Sequence, residues 1–87
     1  MVSLYYIVKN NWENIVKTLL DRGADPNIYN VLHIACENNN LTIVKMLLEH
    51  GADINNIPKY YEPCLYIACK NGNEKMVKFL LEHGAGC

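Results

Sequence analysis

Leu47-Leu48-Glu49-His50-Gly51-Ala52-Asp53 decides the fold, because the chain carries three copies of it. The upstream copy is Leu19-Leu20-Asp21-Arg22-Gly23-Ala24-Asp25, and the downstream copy is Leu80-Leu81-Glu82-His83-Gly84-Ala85-Gly86. Self-similarity at a period of about 20–50 residues is the mark of a solenoid or an array. Gly23 to Gly51 is 28 residues and Gly51 to Gly84 is 33. The difference has one location: Asn27 to His33 is six residues, whereas the matching stretch Asn55 to Tyr66 is eleven. One connector therefore lacks five residues, and everything else keeps register.

Each unit reads as two antiparallel helices. The spacing predicts first helices over Ser3–Lys9, Val31–Asn38 and Cys64–Lys70, and second helices over Glu13–Asp21, Leu41–Glu49 and Glu74–Glu82. In the second helix Ile15, Val16, Leu19 and Leu20 recur as Ile43, Val44, Leu47, Leu48 and as Met76, Val77, Leu80, Leu81. Positions i, i+1, i+4 and i+5 form one helical stripe. Asn11, Asn39 and Gly72 share the turn between helices, where only Gly and Asn enter the left-handed region cheaply. Asn40 and Asn73 follow as N-caps, and Gly23, Gly51 and Gly84 stop the second helix.

This pattern resembles the ankyrin repeat family, whose signature is T-P-L-H-x-A on a period of 33. Val31-Leu32-His33-Ile34-Ala35 carries its L-H-x-A, and Cys64-Leu65-Tyr66-Ile67-Ala68 repeats it with Tyr for His. The resemblance implies an all-α solenoid of three helix-turn-helix units, with one connector finger truncated. Approximate repeat bounds are 1–27 (divergent), 28–56 (short finger) and 57–87, forming a single domain. Pro63 stands where the family's Thr would cap, and Tyr61 takes its usual finger glycine.

Eighty-seven residues make one small domain, and half of them are apolar, so the chain can pack a core. The net charge of −1, with Lys and Arg scattered among acids, gives no footprint for nucleic acid. No apolar run reaches the ~20 residues of a membrane span, and Val2 to Val8 lacks the features of a secretory signal. Four cysteines without a C-x-x-C pair fit reduced thiols and an intracellular location, cytoplasmic or nuclear. Cys36 and Cys69 read as small core residues, and Cys87 as the exposed thiol. Tyr5 and Tyr66, which replace the motif histidine, read as packed.

No nucleophile–base spacing, paired carboxylates or phosphate-cradling glycine loop appears, so an enzyme is not expected, nor a cofactor or metal. The resemblance instead implies a protein-interaction module. Its partner would be gripped by finger residues Lys59, Tyr60 and Glu62 together with groove residues Glu37, Asn38, Lys70 and Asn71. The same resemblance makes His33 a structural residue, bonded to the backbone of an adjoining repeat. The competing reading is structural: a piece of a longer solenoid, or a homodimer through the repeat end faces. For that reading Met76 and Phe79, on an uncapped last helix, are expected beside solvent.

Overall fold

The computed structural model describes residues 4–27, 31–54 and 62–84. Among them six α-helices follow one another: α1 (Leu4–Lys9), α2 (Glu13–Asp21), α3 (Val31–Glu37), α4 (Leu41–Glu49), α5 (Cys64–Lys70) and α6 (Glu74–Glu82). No strand occurs among the described residues. The helices pair as α1–α2, α3–α4 and α5–α6, and the pairs stack in chain order, α1 on α3, α3 on α5 and α2 on α4. The connectors whose unequal lengths the sequence revealed fall largely on 28–30 and 55–61, outside the described residues, so the truncated finger lies outside them as well.

The turn inside each pair is built as its residues dictate. Asn11, Asn39 and Gly72 have φ of 60°, 58° and 69°. That left-handed step lets the next N–H turn back on the first helix, as Asn40 N donates to the Ala35 carbonyl at 3.0 Å and Asn73 N to that of Ala68 at 3.1 Å. Asn40 and Asn73 then cap the second helices, each accepting a 3.1 Å bond from the backbone N–H of Ile43 or Met76. Trp12 holds the equivalent place before α2 and makes no side-chain cap. α2 and α4 end in a paired motif, as Gly51 N donates to Leu48 O and Ala52 N to Leu47 O, with Gly51 at φ 97°. Pro63 precedes α5 without a capping side chain.

Burial along equivalent positions shows which way each side chain faces. Ile15 is 46% exposed, whereas its equivalents Ile43 and Met76 are fully buried. This position therefore faces the preceding helix pair, and among the described residues none packs against Ile15 from that side. Leu20 and Leu81 show the reverse: Leu20 is buried, Leu48 half-buried and Leu81 51% exposed, so this position faces the following repeat. Val8, Cys36 and Cys69 behave like Leu20, with only the last of them exposed. In the middle pair Ile43, Val44 and Leu47 are all fully buried.

Three sequence expectations change here. Met76 does not stand beside solvent; it points back into the stack and is fully buried, while Phe79 is half-buried. The open end is carried instead by Val77 and Leu81. Cys69 is exposed rather than core, because its position faces forward, away from the preceding pair, and among the described residues no helix pair covers it. Tyr66 is 52% exposed for the same reason. Phe79 is held from the preceding repeat, with Lys45 Nζ 5.4 Å above its ring.

Candidate protein-binding groove

First helices α3 and α5 lie side by side, so residues at their C-terminal ends converge. Glu37 at the end of α3, Lys70 at the end of α5, Asn71 just beyond it, and Glu62 and Ile67 line one cleft of about 120 Å³. Lys70 Nζ stands 3.6 Å from Glu62 Oε1 and 5.9 Å from the centre of the Tyr66 ring. Both ends of the Lys70–Glu62 pair are largely exposed, so the pair contributes at most about 1 kcal/mol to folding. Its groups remain wet and available to a partner. Chemically the cleft offers alternating charge, an amide and an aromatic face, which suits polar groups on a protein surface.

Of the residues the sequence nominated, the fold brings Glu37, Glu62, Lys70 and Asn71 together. Lys59 and Tyr60 lie outside the described residues. Asn38, which is exposed but does not line this cleft, donates from Nδ2 to Lys9 O at 3.1 Å and reaches Val8 O and Asn11 Oδ1 at 3.5 Å, bridging the first two repeats. Asn71 has a double role. It lines the cleft, and its Nδ2 also reaches back to Cys36 O at 3.5 Å and Asn39 Oδ1 at 3.3 Å. Asn40 and Asn73 add further rungs, to Asn11 Oδ1 at 3.1 Å and Asn39 Oδ1 at 3.4 Å. The asparagines thus form a ladder that fixes one repeat on the next beneath the groove.

A buried group stands behind the cleft. His33 and Cys64 are nearly sealed from solvent and Cys36 completely so. His33 interacts with the Cys64 thiol and with backbone at Glu62, so this residue of α3 reaches forward to the next repeat. The hydrogen bond with Cys64 is the main reason its imidazole holds a proton above its ordinary range, against the opposing effect of burial. Hydrogen bonds from Cys36 and His33 outweigh burial at Cys64 and draw its thiol down to about 6. Cys36, hydrogen-bonded to Cys64 and desolvated, is pushed up. Cys36 meets Cys64, the first residue of α5, rather than its own equivalent Cys69.

On the opposite side of the stack, His50 joins the first two repeats. Its Nε2 is 3.0 Å from Asp21 Oδ1 and its Nδ1 is 2.8 Å from Met46 O. Asn27 adds a second tie, donating to Gly51 O at 3.3 Å and accepting from Asp53 N at 2.8 Å. No helix among the described residues is long and apolar enough to cross a membrane.

A search of curated proteins returns no match to the chain. The family model described as ankyrin repeats (3 copies) matches residues 4–87, which takes in all six helices, both asparagine-turn motifs and the groove. The ankyrin fold is a protein-interaction fold rather than an enzymatic one. On that match and on the helix-pair stack, the chain belongs to the ankyrin repeat family.

Proposed function

We propose that this chain binds a folded protein partner through the groove formed by Glu37, Glu62, Lys70 and Asn71, with Lys59 and Tyr60, which precede Glu62 in sequence, as further candidates. One observation carries the reading: Lys70 lies between Glu62 and the exposed Tyr66 face, in a cleft that Glu37 also borders. Folding makes little use of these exposed charges, and an aromatic with a cation at its rim is a common anchor for partners. The free thiols of Cys36, Cys64 and Cys69 fit an intracellular setting. The test is affinity capture from the source cells with the wild type and with the charge-reversed Lys70→Glu/Glu37→Lys protein, whose fold is checked by circular dichroism. A partner retained equally by both would move the site out of this groove.

A second reading, self-association through the repeat ends, is favoured by a different observation. Ile15 and Leu81 leave apolar surface open at opposite ends of the stack.

A further inference from the structure

We propose that copies of this chain join head to tail, with the open face of α5–α6 in one copy covering the open face of α1–α2 in the next. Inside the chain, each joint sets forward-facing positions of one repeat against backward-facing positions of its successor. The two ends expose the unmatched halves. A cleft of about 450 Å³ lined by Cys69, Gly72, Glu74, Val77, Lys78 and Leu81 opens on the last repeat. A cleft of about 400 Å³ lined by Trp12, Glu13, Asn14 and Ile15 opens on the first.

Two departures from the internal joints match each other. In both internal joints the capping asparagine of one repeat reaches the turn asparagine of its predecessor: Asn40 to Asn11, and Asn73 to Asn39. At the open ends the cap position holds Trp12 and the turn position holds Gly72. In the same register Trp12 of one copy falls on Gly72 of another, a large ring over a residue with no side chain. A Cβ at Gly72 would meet nothing within 4 Å, so the space above it is open. Trp12 itself is 47% exposed. Knob and hole replace the hydrogen-bonded amide pair together, one at each end.

Charge selects the same arrangement. The Asp21–His50 contact joins repeats one and two at 3.0 Å. The position of Asp21 recurs as Glu82, and that of His50 as Arg22. Head-to-tail docking therefore sets Glu82 against Arg22, opposite charges at any physiological pH. Docking of like ends with their helices running in the same direction would set Glu82 beside Glu82 or Arg22 beside Arg22. An unrelated partner has no need of both halves, whereas a second copy carries each at the register already used inside the chain. Such contacts are heterologous and do not close on themselves, so they extend into open chains of copies.

Sedimentation velocity under reducing conditions tests this, because reductant removes crosslinking through Cys69. The wild type should gain mass steadily with concentration and pass beyond dimer, with the emission of its single tryptophan shifting to the blue. Trp12→Asn and Leu81→Lys should each be folded and monomeric alone. Mixed, they should form a 1:1 heterodimer that grows no further, because each supplies the face the other lacks. Glu82→Arg should weaken assembly about fivefold, and mixing it with Arg22→Glu should restore the contact. A wild type that stays monomeric at millimolar concentration overturns the proposal. Either single variant dimerising alone would show face-to-face pairing and overturn it too, as would a mixture that remains monomeric or an unaltered tryptophan spectrum.

Discussion

His50 presents both ring nitrogens to acceptors, Nε2 to Asp21 Oδ1 at 3.0 Å and Nδ1 to the Met46 carbonyl at 2.8 Å. A neutral imidazole has one N–H and satisfies only one of them. The protonated ring satisfies both, and it sits at the C-terminal end of α4, where the helix dipole favours a cation. The carbonyl bond first, and then Asp21, therefore raise its proton affinity above the ordinary value.

The sign of the pH dependence follows. A histidine whose folded pKa is raised contributes stability that is full below the unfolded value of about 6.5 and is lost as pH rises through the folded pKa. His33 is shifted in the same direction. Cys64, drawn down to about 6, acts in the opposite sense as pH rises, so the test is a comparison: between about pH 5.5 and 8 the melting temperature of the wild type should fall relative to that of His50→Gln. A slope unchanged in His50→Gln would mean that the ring does not couple to Asp21 in solution.

Leu47 and Leu81 sit on one stripe of equivalent helices, yet one is fully buried and the other half open. Leu47→Ala should cost about 2–5 kcal/mol in denaturant unfolding, because repeats on both sides hold the cavity open. Leu81→Ala should cost less than about 1 kcal/mol at concentrations where the chain is monomeric. Similar losses for the two would contradict the facing assigned to these positions.

Asn39 combines a left-handed backbone with an oxygen shared by Asn71 and Asn73. Asn39→Ala loses both advantages and should destabilise the protein by about 2 kcal/mol. Asn39→Gly keeps the backbone at ease and gives up only the shared acceptor, as at Gly72, so its cost should be roughly half as large. Thermal unfolding of the two variants side by side separates conformational strain from the ladder.

Thiol chemistry should follow access rather than acidity. Cys64 is drawn down to about 6 but is almost completely covered, whereas Cys69 is exposed. Brief iodoacetamide treatment at pH 7.5, followed by peptide mass spectrometry, should label Cys69 and spare Cys36 and Cys64 until denaturant is added. Equal labelling of Cys64 and Cys69 would reveal frequent opening between the second and third repeats.

The helices and turns were legible because each is dictated locally. Asn39 and Gly72 specify the turn, Asn40 and Asn73 the cap, and Gly51 the stop, and repetition multiplied each signal. The facing of side chains was harder. Met76 and Val77 are adjacent on one apolar stripe, and periodicity alone does not say which turns toward the preceding repeat and which toward the following one. Only stacking decides that, and it also exposes Cys69 and Tyr66. The groove was partly legible: Glu37 and Lys70 occupy equivalent places on neighbouring first helices, and Glu62 joins them through space. That Asn38 bridges the joint between repeats could not be read from an amide, which looks the same whether it faces a partner or a carbonyl.

Asn71 carries a chemical clock. It is followed by Gly72, and a glycine on that side offers little hindrance when a backbone nitrogen attacks a side-chain amide and expels ammonia. Water then opens the resulting cyclic imide to an acid, either aspartate or its isomer with the backbone routed through the side chain. An NH₂ group that now points at Cys36 O and Asn39 Oδ1 would become a carboxylate aimed at two oxygens. The helical backbone at Asn71, with φ −80° and ψ −7°, disfavours the extended geometry that the attack requires. Folded protein should therefore age slowly at this bond and unfolded protein quickly. A stored sample examined by tryptic mapping would then record, in its content of altered Asn71, how often the third repeat has let go of the second.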